Sequence, residues 1–211
     1  MIGVIGGSGG VGASTFAAVL TSVAERGVLI DLDPVGGGID VLLGIDDLAG
    51  ARWSGLRVEG GYLDPALLDE GLPRWRDVAV LAADQPPDAA AVAQVVAAAA
   101  QLGTVVLDLP RSPSPLRAAG LAACDLCVLV ASAHDVRSLV AAAAVLRSLP
   151  DVPVGVVLRR GSFGVDEAIE LLGARLLGVL PATDRPSGRS AARVALGVVD
   201  GLLTETWGAA S

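Results

Sequence analysis

The chain has 211 residues and a formal net charge of −8, with 53% hydrophobic residues and only 3% aromatic ones. That length suits one α/β domain with a well-buried aliphatic core and is too short for two comfortable domains. The acidity argues against direct binding to DNA or to an anionic membrane, since both need clustered cations; all 15 basic residues are arginines and lysine is absent altogether.

The opening run "MIGVIG" (1–6) reads as a strand, and with no basic stretch before it no signal peptide is expected. A glycine-rich turn follows, then a helix over 13–25, and the second strand is "GVLIDLD" (27–33). Residues 44–77 are irregular and hold Trp53 and Trp75, so they are expected to form a short helical excursion or a partner-contacting surface. "DVAVLAA" (77–83) is a strand and 88–102 a helix. Residues 89–107 carry no charge, but Gln94, Gln101 and a change of period at Gly103 suit a helix running into a buried strand better than a membrane span.

"GTVVLDLP" (103–110), "DLCVLVAS" (125–132), "VPVGVVLRR" (152–160) and "ARLLGVLP" (174–181) supply four more strands, alternating with helices over 114–122, 135–149, 165–172 and 188–206. These runs are nearly continuous rather than alternating, as in parallel strands covered on both faces. The expected fold is therefore α/β: one doubly wound, mostly parallel sheet with helices on both faces, spanning 1–211. In the last helix Leu196, Val199, Leu203 and Trp207 fall near one face, with Asp200 and Glu205 among them. An acidic helix of this kind is expected to pack on the domain rather than enter a membrane. Cys124 and Cys127 lack the second ligand pair of a zinc site and the helix N-terminus of a redox motif, so they read as buried structural thiols. Tyr62 and His134 have no catalytic context, and His134 reads as part of a strand-to-helix turn. Cytoplasmic residence is expected.

The turn "GGSGGVG" (6–12) satisfies two motifs at once. Gly7, Gly9 and Gly12 form G-x-G-x-x-G, with Asp31 nineteen residues on, as in a dinucleotide fingerprint where the acid accepts a ribose hydroxyl. Residues 7–14 are equally a Walker A frame with Ala13 in the lysine slot. Either way, glycines let backbone N–H groups approach phosphate at a helix N-terminus. Downstream, "LIDLDPVGGG" presents Asp31 and Asp33, and "VVLDLPR" delivers Asp108 in the form of a Walker B strand, which with a Walker A serine can hold Mg²⁺. Those features favour the Walker reading.

"GGSGGVGAST", "VLIDLDPVGGGIDVLLG" and "TVVLDLPRSPSPLRAAGLAACDLCVLVAS" resemble the three nucleotide motifs of the MinD/ParA family of deviant-Walker ATPases. Within it the likeness is to the CpaE/TadZ-like branch, which includes actinobacterial septum-site-determining proteins. The resemblance implies binding of ATP or ADP with Mg²⁺, a homodimer formed on nucleotide binding, and protein partners from a pilus-secretion or division apparatus at a pole or septum. It implies a nucleotide-binding set of Gly7, Ser8, Gly9, Gly10, Val11, Gly12, Ala13, Ser14, Thr15 and Arg159, with Gly9 to Thr15 wrapping the phosphates. Ser14, Asp33 and Asp108 would be the metal set, and Asp33 the acid that positions water or metal near the γ-phosphate. Many relatives carry an N-terminal receiver-like domain, so a short member and an excised ATPase-like domain both stay open.

The departures from the family pattern bear on function. Ser8 occupies the slot of the lysine that reaches across a dimer, and Arg159 stands where many members have an adenine-reading asparagine. A charge-assisted hydrogen bond contributes about 1.5–3 kcal/mol, so losing the lysine at position 13 weakens nucleotide binding roughly 10- to 100-fold. Catalysis loses about 10²–10³ in rate for each missing transition-state donor. Arg111, just after the Walker B segment, reads either as partial compensation or as a surface or capping arginine. The expected protein is a nucleotide-gated scaffold with feeble or no hydrolysis; a nucleotide-independent pseudo-ATPase scaffold and a dinucleotide-binding protein are the alternatives.

Overall fold

The computed structural model describes residues 1–57, 62–182 and 188–203. β1 (Ile2–Gly6), β2 (Val28–Asp31), β4 (Val78–Leu81) and β5 (Val105–Leu109) are buried along their whole length, as their uninterrupted aliphatic composition requires. β6 (Leu126–Ser132), β7 (Val154–Arg159) and β8 (Arg175–Leu180) continue the sheet, and β3 (Arg74–Trp75) is a two-residue strand at the other end. The order is β3-β4-β2-β5-β1-β6-β7-β8, parallel except for the β3–β4 pair. The expected doubly wound, mostly parallel sheet is what forms.

Several helices begin at a capping side chain. Asp88, Ser114 and Asp135 accept backbone N–H bonds at the starts of α4 (Ala89–Ala100), α5 (Pro115–Ala122) and α6 (Val136–Arg147). With α7 (Val165–Leu172), these helices cover one face of the sheet, over Ile5, Ile30, Leu107, Leu129 and Leu158. α1 (Ala13–Val23) and α8 (Arg189–Leu203) cover the other, over Ile2, Val4, Leu29, Val106 and Val128. Alternate residues of each strand thus feed two aliphatic cores.

The irregular stretch contains more structure than its composition indicates. A short helix, α2 (Ile39–Leu43), leads into it, and it holds a 3₁₀ turn at Trp53–Gly55 and α3 (Pro65–Gly71) before β3. On α8 the buried stripe is Ala191, Ala195 and Val198. Val199 is half-buried against the core, as expected, whereas Leu196 faces out. Leu196 follows Ala195 by about 100° around the helix, which takes it off the buried stripe. Trp207 and the Leu203 side chain lie outside the described residues. Cys127 is buried as expected and Cys124 is only half-buried; loss of solvent pushes each thiol up to about 12, and Cys124 Sγ donates to the Gly120 carbonyl at 3.2 Å. No helix among the described residues is long and apolar enough to cross a membrane.

Candidate nucleotide site

The glycine loop grows out of the end of β1. Gly7 N–H donates to the Val130 carbonyl of β6 at 2.8 Å. A Cβ added to Gly7 would lie 2.7 Å from the Ala142 Cβ of α6, so this glycine is required by packing beneath the loop. It does not line the cleft, in contrast to its place in the expected nucleotide-binding set. Gly10 and Gly12 have φ of 70° and 89°, the left-handed region that disfavours side chains. Added Cβ atoms on Gly9 and Gly10 would meet open space, which leaves the loop accessible to a ligand.

Gly12 caps α1, and its carbonyl accepts the Phe16 N–H at 2.9 Å. No acidic residue sits in the first turn of α1. The positive end of that helix is therefore left for an external anion.

The sheet places the acids below the loop. Asp31 and Asp108 are register partners at the ends of adjacent strands β2 and β5, and Asp108 is also in register with Val4 of β1. Both carboxyls are buried, 2% and 5% exposed. Burial, reinforced by the charge of Asp31, pushes Asp108 up to about 8, while a hydrogen bond with Ser14 acts in the opposite direction. Burial likewise raises Asp31 to about 6, against three backbone N–H bonds that favour its charged form. Those donors are Asp33 at 2.8 Å, Ile39 at 3.2 Å and Ala83 at 3.5 Å, and the Trp53 indole N–H donates to the Asp31 carbonyl at 2.8 Å.

Asp31 is thus a strut holding the loop after β2, and it is not presented to a ribose. Asp33 is half-buried on that loop, and its carboxylate accepts the Val35 N–H at 3.2 Å. Loop, acids and the turn at 35–39 enclose a cleft of about 750 Å³. Ser8 through Thr15, Asp31, Asp33, Asp108, Arg111 and Arg159 all contribute to its wall. Arg159, the last residue of β7, donates from Nη1 to the Val11 carbonyl at 3.1 Å. His134 is exposed in the β6–α6 turn, where its N–H bonds Ser132 Oγ, and neither it nor the exposed Tyr62 lines the cleft.

The chemistry of this donor set suits a Mg²⁺–polyphosphate. Among the described residues no three His, Cys, Asp or Glu side chains converge into a protein-only cage. A cation here would take its remaining ligands from phosphate and water, as Mg²⁺ commonly does. Sequence reasoning found the loop, Ser14, Asp33 and Asp108 but missed the wall formed by Val35, Val41 and Leu42. The run of three glycines at 36–38 was its visible signal.

The strand order decides between the two motifs. In a dinucleotide-binding fold the second strand lies beside the first, so its terminal acid faces the bound ribose. Here β5 lies between β1 and β2 and puts Asp108 next to the loop-bearing strand. The same architecture occurs in the MinC:MinD cell division protein complex of Aquifex aeolicus, with a TM-score of 0.74 and 18% identity, over 97% of this chain and 95% of that one. MinD complexed with Mg-ADP from Pyrococcus horikoshii OT3 matches at 0.71 and 16% identity, covering 99% and 98%. A ParA family ATPase from Chlorobium tepidum TLS matches at 0.70 and 18%, covering 96% and 98%. The chain has the MinD/ParA P-loop fold.

No family model matches the chain. An uncharacterized protein of Mycobacterium tuberculosis, from strains CDC 1551 / Oshkosh and H37Rv, is 40% identical over 194 residues, or 88% of this chain. Those residues are 55% of that protein, so the chain spans about half the length of the curated relatives it matches. The two positions where the motif resemblance leads one to expect lysine are both in the cleft wall: Ala13 opens α1, and Ser8 is half-buried at the loop's entrance.

Proposed function

We propose that this chain is a MinD/ParA-like, nucleotide-gated localisation factor that binds Mg-ATP or Mg-ADP and hydrolyses ATP weakly or not at all. One observation carries the reading: a glycine loop with two left-handed residues opens an acid-free helix over Ser14 and a buried Asp108. Backbone N–H groups from Gly9 to Thr15 would hold the phosphates, and Ser14, Asp33 and Asp108 would hold Mg²⁺. When bound, Mg²⁺ supplies the charge neutralisation that lysines share in other P-loops. The protein's own contribution is to fix the phosphates and exclude water beneath them. With Ala13 and Ser8 in the lysine positions, little side-chain charge is aimed at a developing negative charge, and turnover is slow.

The motif likeness to the CpaE/TadZ-like branch supports a homodimeric scaffold that places pilus-secretion or division machinery at a cell pole or septum. The MinC:MinD complex has this fold and a protein partner, which is consistent with a partner-binding role here. Val35, Val41 and Leu42 are exposed beside the cleft, an apolar lip that a second copy would cover on dimerisation. Net charge of −8 supports recruitment by protein contacts rather than by DNA or lipid. A second reading, a scaffold that needs no nucleotide, is favoured by the missing lysines and by the burial that pushes Asp108 up to about 8.

The test is to denature the purified protein and identify any released nucleotide, then measure thermal protection by Mg-ATP, Mg-ADP and NAD. Protection by Mg-ATP or Mg-ADP, with a shift from monomer to dimer in sedimentation, is the expected result. Protection by NAD alone refutes the Walker assignment. No response to any of the three favours the nucleotide-independent scaffold.

A further inference from the structure

The chain has no lysine, yet one cation is built onto its phosphate loop from a distant part of the fold. Arg159 ends β7, where it pairs in register with Ser132 of β6, and β6 in turn flanks β1. The loop continues from β1, so Arg159 starts two strands away, about 10 Å at the usual strand spacing. Only a long side chain spans that gap. Its Nη1 reaches the Val11 carbonyl at 3.1 Å, a contact between residues 148 apart in sequence, and the same side chain lines the cleft.

We infer that Arg159 serves this loop as its cation, acting on bound polyphosphate rather than on the nucleotide base. The inference rests on the nucleotide reading above. Two physical consequences follow from the contact. First, a guanidinium stays charged at any physiological pH, so it places a permanent positive charge against Val11, two residues before the Ala13 slot where the Walker lysine is missing. Second, the peptide joining Val11 to Gly12 is planar and trans, so its C=O and N–H point in opposite directions. Fixing the carbonyl fixes the direction of the Gly12 N–H, at the residue whose φ of 89° starts α1. Arg159 is therefore a positioning residue for the loop as well as a source of charge.

An arginine seated on the loop predicts a dependence on phosphate number and indifference to the base. Calorimetric titrations of the unaltered chain, Arg159→Ala, Arg159→Lys and Arg159→Asn would use Mg-ATP, Mg-ADP, magnesium tripolyphosphate and adenosine. In Arg159→Ala and Arg159→Asn, ATP and tripolyphosphate should each weaken by about 10-fold or more, because a charge-assisted contact is lost. ADP should lose less, and adenosine should be unaffected. Arg159→Lys should recover part of the loss, and millimolar guanidinium should recover part of it in Arg159→Ala, more for tripolyphosphate than for ADP, a dependence on phosphate number that a merely structural role would not produce. Melting of each variant without ligand reports folding; if Arg159→Ala does not fold, Arg159→Lys and Arg159→Asn carry the comparison. A loss confined to the adenine-bearing ligands, or equal affinities across the variants, overturns the inference and leaves the nucleotide reading intact. Failure of the unaltered chain to bind ATP, ADP or tripolyphosphate overturns both.

Discussion

Replacing Ala13 by lysine restores the side chain that the loop otherwise lacks, and the structure sets what that should do. Position 13 is the first residue of α1 and a half-buried part of the cleft wall, so a lysine there can turn toward bound phosphate without entering the core. A charge-assisted hydrogen bond contributes about 1.5–3 kcal/mol, and ordering a lysine side chain costs up to about 2 kcal/mol, only part of which is lost at a half-buried site. The net gain expected for ATP is about 1–2 kcal/mol, roughly 5- to 30-fold in affinity. Without ligand the sign reverses: a cation in the first turn opposes the helix dipole by about 0.3–1 kcal/mol, which lowers Tm by about 1–3 °C in a domain of this size. Hydrolysis should rise only slightly, since Ser8 leaves a second charge missing. Calorimetric titration with a non-hydrolysable ATP analogue, beside a melting curve, reads both effects. Gly12→Val is the counterpart: a branched residue at φ 89° is strained and obstructs the loop, so binding should be lost. If Ala13→Lys and Gly12→Val both leave affinity unchanged, the phosphates do not sit in this loop.

Asp31→Asn should destabilise the nucleotide-free protein by about 1–3 kcal/mol, because an amide NH₂ cannot accept from the Ile39 and Ala83 N–H groups that now share Oδ2; an unchanged melting curve would remove its role as a strut. Gly7→Ala should also lower Tm, since its Cβ would come within 2.7 Å of the Ala142 Cβ, and a neutral result would mean that α6 yields there. Asp108 at about 8 and Asp31 at about 6 both lie above the ordinary 3.8, so the folded state holds protons that the unfolded state releases. The stability they contribute is full below about pH 4 and is lost as pH rises through 8. Melting curves between pH 4.5 and 9 should therefore fall on the alkaline side, and Asp108→Asn should flatten that fall; a Tm that climbs steadily to pH 9 contradicts it.

Much of this architecture is legible in the chain because each central strand is buried on both faces and has to be written in unbroken aliphatics. Seven strands and six helices follow from that pattern and from caps such as Asp88 and Asp135. α2, α3 and β3 are too short for any periodicity to register, although Asp64 followed by Pro65 is a helix-start signature and does open α3. The site is legible as motifs and not as roles. Asp31 fits the spacing of a ribose-binding acid, yet β5 intervenes between β1 and β2 and turns it inward as a strut. Gly7 belongs to both glycine motifs by spacing, but it packs against an alanine 135 positions away, which no local pattern encodes. The Arg159–Val11 contact was hidden for the same reason. Two strands separate its ends, and the sequence gives no measure of that distance.

The position of β1 also bears on how the chain is made. It is a five-residue, fully buried strand whose two neighbours, β5 and β6, begin at Val105 and Leu126. At about 5–20 residues per second, β1 leaves the ribosome several seconds or more before either neighbour exists. Until then a bare apolar ribbon followed by flexible glycines has no edge to pair with. Closing so long a loop is slow compared with local helix formation. The loop acquires its shape only once β6, more than a hundred residues further along, supplies the carbonyl that holds Gly7, so this turn is among the last parts of the sheet's loop edge to be fixed.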